Sequence, residues 1–336
     1  MENMNKQLQL IFGDAHLGVK GTGFHYLFAY GRGLESLYIE DKEWLCRTPM
    51  PTFWRALTDN DRGNRFQFRS GMWASADLFV NPTGFAVAVD GKEIPRPVAP
   101  VNNEFTGNET AQTVEITFTY ETITTPKTTV LVSYLVHPDG KIQVKAKYNG
   151  KEGLPELPVF GMRFIMPTKA VGFCYDGLSG ETYPDRRDGG VPGTYYVEGL
   201  PVTPYLVPQE CGMHVETNWV EIYRDSVLDN RRRPIKRTGL RIEKDQDVFA
   251  FSCLPYTALE LENARHQEEL PPERYTVLCV CGAVRGVGGI DSWGAPVEEA
   301  YRISGEKDHE FSFVIMPGDQ NCTGGYCQPV PDPDLA

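Results

Sequence analysis

Strict alternation of apolar and polar residues limits what this chain can become more than any other property. Over 113–120, Val114, Ile116, Phe118 and Tyr120 alternate with Thr113, Glu115, Thr117 and Thr119. Over 141–148, Ile142, Val144, Ala146 and Tyr148 alternate with Lys141, Gln143, Lys145 and Lys147. Successive side chains of a strand face opposite sides, so each pattern describes a half-buried antiparallel strand. Stretches 130–136 and 85–89 read the same way, and Asp90-Gly91 and Asp139-Gly140 are hairpin turn signals. Further strands are predicted at 219–223, 248–253, 275–281 and 310–316. Helical patterns are confined to 257–269 and a turn or two within 70–79. Strands do not alternate with long helices, which argues against a parallel α/β fold. No fixed-period repeat and no linker divides the chain. The expectation is one all-β sandwich of large antiparallel sheets over 1–317, followed by a loose Pro/Gly-rich tail over 318–336.

A chain of 336 residues can bury a substantial core without disulfides or metal. Its net charge of −12 argues against nucleic acid or an anionic membrane as the main partner. The run Arg231-Arg232-Arg233-Pro234-Ile235-Lys236-Arg237 breaks the acidic background and reads as a solvated loop, with a phosphate or carboxylate site as the alternative. No apolar run approaches the roughly 20 residues of a membrane helix. The stretch Met1 to Gln9 lacks the apolar core of a signal peptide, so a cytoplasmic location is expected. The eight cysteines are scattered without zinc spacing, and in a reducing compartment most are expected to be small buried hydrophobes. Cys322 and Cys327 bracket a Thr-Gly-Gly-Tyr turn where a disulfide is conceivable.

Three segments do not look like plain strands. In the first, Phe53-Trp54-Arg55-Ala56 is followed by Thr58-Asp59-Asn60-Asp61-Arg62-Gly63. That is turn chemistry, because Asx side chains bond their own backbone, or else a polar cluster aimed at a sugar or a metal. The second joins Gly180-Glu181-Thr182-Tyr183-Pro184-Asp185-Arg186 to Pro204-Tyr205 and Pro208-Gln209-Glu210. Glu181, Asp185, Arg186 and Glu210 are candidates for ion pairs that hold two loops together, or for the two carboxylates that glycoside hydrolysis needs. The third, Gly286-Val287-Gly288-Gly289-Ile290-Asp291-Ser292-Trp293-Gly294, is neither GxGxxG nor a Walker loop. A glycine loop displaying one Trp suits a stacking platform for the apolar face of a sugar, with a Trp folded into the core as the alternative. The six histidines show no metal spacing, and no GxSxG elbow is present.

Together these motifs resemble the C-terminal domain of the large β-galactosidases of glycoside hydrolase family 2, and most closely the small chain of the two-chain enzymes. The resemblance runs from about Gln7 to Pro317. It implies a galactose-mutarotase-like supersandwich. In the family, the acid and nucleophile are glutamates of a TIM barrel, which needs about 250 residues of alternating strands and helices. No such pattern exists here, so no catalytic residue is assigned to this chain, and a large barrel-bearing subunit is the implied partner. The resemblance makes Trp293 the platform for the aglycone sugar, with Asp291 and Ser292 beside it. Gly63, Asn64 and Arg65 match the start of a mobile loop, Gly63 serving as hinge. Asp59, Asn60, Asp61, Glu181, Asp185 and Arg186 are read as structural support for those loops. The family's magnesium and sodium belong mainly to the barrel chain, so no metal or cofactor is assigned here. The competing reading is a free-standing carbohydrate-binding or mutarotase-like protein, for which His214 and Glu210 form the one tempting acid/base pair.

Overall fold

The computed structural model describes residues 7–228, 236–291 and 293–318, with the backbone of 328–329. Among them, three sheets make up the molecule, and every strand pairing is antiparallel except one. The first has six strands in the order Lys42–Glu43, Gly33–Ile39, Phe24–Ala29, His16–Gly21, Leu8–Phe12 and Thr110–Ala111. The second has eleven. Its centre runs Trp219–Arg224, Thr238–Lys244, His309–Pro317, Ile142–Tyr148, Thr129–Val136, Val114–Glu121 and Asn81–Val89. The third has five: Met213–Thr217, Phe249–Leu254, Tyr275–Val284, Val159–Pro167 and Arg47–Thr52. All eight strands predicted from sequence are present, most of them extended by a residue or more at an end.

The alternating strands behave as their period requires. Ile116, Tyr134, Val144 and Phe313 lie opposite one another across four neighbouring strands and are all fully buried. Asp90 and Gly91 both take positive φ (50° and 76°) in the two-residue turn that pairs Val89 with Lys92. Such a turn matches the right-handed twist of the strands it joins.

The five-stranded sheet follows a different rule. Val159–Pro167 and Phe249–Leu254 are buried at every position, because both faces are covered. Strands of that kind read as continuous apolar runs rather than alternation. Phe160 and Phe164 meet Phe311 and Phe313 of the eleven-stranded sheet edge to face at 5.5 and 6.1 Å.

Helix is scarce. The stretch 257–269 holds α3 (Ala258–Asn263), with a capping box between Thr257 and Glu260, followed by a 3-10 turn. The stretch 70–79 holds two 3-10 turns. Among the described residues no helix is long and apolar enough to cross a membrane. In the tail, Gln328–Pro329 forms the one parallel pairing, with Pro192–Glu198. Cys174 is disulfide-bonded, while Cys46, Cys211, Cys253, Cys279 and Cys281 are free. Cys322 and Cys327 lie outside the described residues, as do the first five residues of the basic run, 231–235. At its end, Arg237 stacks over the Tyr223 ring at 4.6 Å.

Candidate functional site

The three unusual segments meet in space: Asp59 and Asn60 of the first bond Gln209 of the second and Val287 of the third, next to the buried Asp61. The run 59–63, expected as a turn, is a capped helical turn, α1 (Asp59–Gly63). Thr58 caps it: its hydroxyl accepts from the Asp61 N–H, and the Asp61 carboxylate accepts in return from the Thr58 N–H. The reciprocal box satisfies two donors that a helix start leaves open. Asp61 is fully buried, and its carboxylate also takes Arg55 Nη1 at 2.6 Å and Arg285 Nη1 at 3.0 Å. Burial alone raises its pKa. Arg55, the Thr58 backbone and Arg285 outweigh that and hold the carboxyl below its ordinary value. Arg55 also donates to the carbonyl of Gly286, and Arg285 to Glu156. The Arg285 guanidinium lies 4.1 Å over the Phe66 ring.

From this buried base the glycine loop extends outward. Asp185 accepts from the backbone N–H of Val287 at 2.9 Å and of Gly288 at 2.8 Å. A Cβ at Gly286 would come within 2.6 Å of the Asp185 carboxyl carbon, so only glycine allows this approach. Asn60 Nδ2 donates to the Val287 carbonyl at 3.1 Å, and Arg186 donates to that of Gly288. Asp185 and Arg186 thus hold the loop through its backbone rather than through ion pairs with Glu181, which instead accepts from Thr203. At the tip, Asp291 Oδ1 accepts from the N–H groups of Trp293 and Ala295, and the Trp293 side chain is 93% exposed. The indole is not folded into the core. Ser292 lies outside the described residues.

The expected hinge, Gly63, adjoins the glycine loop. It ends α1 without adopting the left-handed region, and the left-handed position falls on Arg65 at φ 61°. What Gly63 provides is closeness. A Cβ at Gly294, itself at φ +81°, would lie 3.1 Å from the Gly63 carbonyl, so the end of α1 and the tip of the Trp293 loop touch backbone to backbone. Asn64 closes the helix, accepting from Arg69 in α2 (Phe66–Ser70). Phe66 anchors that second turn, fully buried against Trp54 and Arg285.

A cavity of about 270 Å³ opens beside α1 and Val287 of the glycine loop. Asp59, Asn60, Glu181, Tyr183, Tyr205, Gln209 and Glu210 line it. Gln209 fixes its wall by accepting from the Asp59 N–H at 2.7 Å. Burial pushes the Glu210 carboxyl up to about 8, against the pull of Arg55 and with Glu181 and Asp61 adding to the rise. His214 sits among aromatic rings. It stacks on Phe251 at 4.8 Å and packs against Tyr175, and burial pushes its pKa down to about 4. Its Nδ1 has no hydrogen-bond partner among the described residues.

Sequence reasoning missed Arg285, Glu156 and Tyr183 as parts of this arrangement. The Thr58-x-x-Asp61 spacing of a capping box was the available signal for the turn itself. Nothing local marks Arg285, which reaches Asp61 from 224 positions away. Among the described residues no group of three or more His, Cys, Asp or Glu side chains is arranged to hold a metal ion.

With the geometry in view, the relatives can be compared. Residues 20–315 match the family described as Beta galactosidase small chain. The chain is 60% identical over 316 residues to the β-galactosidase small subunit of Latilactobacillus sakei, covering 94% of this chain and 99% of that protein. It is also 34% identical to a β-galactosidase of Halalkalibacterium halodurans, over 93% of this chain but only 28% of that longer protein. Among solved structures, a galactose mutarotase related enzyme of Lactobacillus acidophilus aligns with 94% of this chain and 100% of its own, at 9% identity and a TM-score of 0.40. The chain belongs to the β-galactosidase small chain family.

Proposed function

We propose that this chain completes the active site of a retaining β-galactosidase whose nucleophile and general acid lie on a separate, barrel-bearing large subunit. Magnesium or sodium, where the assembled enzyme uses them, belong to that partner. The observation that carries this is the exposed Trp293 indole on a loop whose base is held by Asp185, Asn60 and Arg186. A flat, amphipathic ring held at a defined height is what stacking a leaving sugar requires. Asp291 sets the tip, and the α1–α2 segment from Gly63 through Asn64 and Arg65 lies alongside it as a movable wall.

The chemistry is displacement at the anomeric carbon by a partner carboxylate, then hydrolysis of the covalent galactosyl intermediate. This chain's share is positional. It orients the aglycone and excludes water, effects that reach several kcal/mol when geometry is right. The purified chain alone is expected to leave a β-galactoside intact, and mixing with the large subunit to restore hydrolysis. Hydrolysis by the pure chain would show that its own carboxylates do the chemistry.

A further inference from the structure

We propose that α2 and the two 3-10 turns after it form a docking face for the barrel-bearing large subunit, with Phe68 at its centre. This rests on the two-chain reading above and adds where the two chains touch.

Residues 66–79 are apolar on two sides. One side faces inward: Phe66 and Trp73 are fully buried, with the buried Ser70 between them. The other side faces water. Phe68 is 80% exposed, and Met72 is exposed four residues on, the spacing that sets two side chains next to each other on a helical turn. Leu78 and Phe79 are exposed at the following turn. A helical segment that is apolar all round is normally covered on both sides.

The outward side chains stand on a fixed base. Trp73 Nε1 donates to the Pro155 carbonyl at 3.2 Å, and Asp77 pairs with Arg163 of the five-stranded sheet, both members buried. Held from below, the segment presents Phe68 and Met72 in one place, so little ordering is left to be done on binding.

Its composition is that of a contact surface. Over 62–76 the chain has Arg62, Arg65 and Arg69 but no Asp, Glu or Lys, in a protein whose net charge is −12. Aromatic residues, Met and Arg are enriched where proteins meet, whereas Lys, Asp and Glu are depleted. Arg62 pairs with Asp59, and Arg69 bonds Asn64. The exposed Arg65 guanidinium has no hydrogen-bond or ion-pair partner among the described residues. The surface that fits this face is apolar with an acidic rim.

Position and length identify what covers it. Gly63, at the end of α1, touches the tip of the Trp293 loop backbone to backbone, so a subunit that Trp293 reaches is also within reach of α2. The Halalkalibacterium halodurans relative carries the matching sequence as 28% of one longer chain, whereas the Latilactobacillus sakei small subunit is matched over 99% of its length. A separate chain of the second kind has only surface contacts to hold the remainder, and a few central aromatic anchors carry most of such binding.

The test is binding between the purified full chain and its large subunit, followed by surface plasmon resonance rather than by hydrolysis. Phe68→Asp is expected to raise Kd at least about thirtyfold and Met72→Asp at least about fivefold. Arg65→Glu should slow association and flatten its salt dependence. Val101→Asp, at an apolar side chain 84% exposed and outside this segment, serves as control and should change Kd less than about twofold. Should Phe68→Asp fail to fold, Met72→Asp and Arg65→Glu provide the same readout. Full-strength binding by Phe68→Asp and Met72→Asp would overturn the docking face and leave the two-chain reading standing. No binding by the unsubstituted chain would overturn both. Sedimentation of the chain alone as a dimer that Phe68→Asp makes monomeric would assign the face to a second copy instead.

Discussion

The two ends of the glycine loop are built on opposite principles. At its base, Arg55, Asp61 and Arg285 are almost entirely removed from water, and their charges are matched by one another and by backbone carbonyls. At its tip, Trp293 is more exposed than any other large hydrophobic side chain described. A buried ionic network contributes little net stability but makes each member costly to remove, whereas an exposed ring can be removed without consequence for folding. The base therefore answers for stability, and the tip is left free for the recognition proposed above.

Substitutions separate the two. Asp61→Ala strips two buried guanidiniums of their shared counter-charge and should cost about 3–5 kcal/mol in urea unfolding. A loss below about 1 kcal/mol would mean that the base is held by something else. Asp185→Ala leaves the Val287 and Gly288 N–H groups unpaired and should cost about 1–3 kcal/mol, while also blunting the acceptor-sugar dependence of the assembled enzyme. An effect on stability alone would uncouple base from tip.

Proton linkage probes the buried side more gently. Glu210 is raised from 4.5 to about 8, so the folded chain binds more protons than the unfolded one across that window, and stability falls as pH rises. His214, lowered from 6.5 to about 4, acts in the opposite sense, with stability lost as pH falls between those values. Between about 6.5 and 8 only Glu210 contributes of these two. There the slope should approach, at most, about 1.4 kcal/mol per pH unit and flatten in Glu210→Gln. Thermal unfolding at several pH values in that interval measures it.

The smallest effect on stability belongs to Trp293→Ala, within about 0.5 kcal/mol. The same substitution should weaken acceptor binding and transgalactosylation by the assembled enzyme. Retention of full acceptor dependence would remove Trp293 from the site.

What could be read from sequence depended on pattern, but not on pattern alone. Strands with one wet face, such as Val114–Glu121 and Ile142–Tyr148, announce themselves by alternation. Val159–Pro167, covered on both faces, shows no alternation and was not predicted, yet neither was the alternating Phe24–Ala29, while the fully covered Phe249–Leu254 was. The glycine loop was legible from one segment, whereas the exposure of Trp293 was not: the segment alone allowed a Trp folded into the core, and the platform came from the family resemblance. Nor was the anchoring legible. Arg55, Asp61 and Arg285 are unremarkable in isolation, and only the folded chain brings them to one point. The close approach of Gly63 to Gly294 was not legible either, because glycine serves two ends, positive φ and close approach, and sequence cannot tell which.

The Asp61–Arg285 bond also bears on the order of events during folding. It ties residues separated by 224 positions, and the Arg55–Gly286 bond spans 231. Contacts of such long range close late, after loop-closure entropy has been overcome by the sheets between them. Trp293 is therefore expected to reach its final height only after residues 55–61 and 285–286 have been brought together. A partner that binds this surface, as proposed above, is expected to meet it only on chains in which those distant segments have already joined.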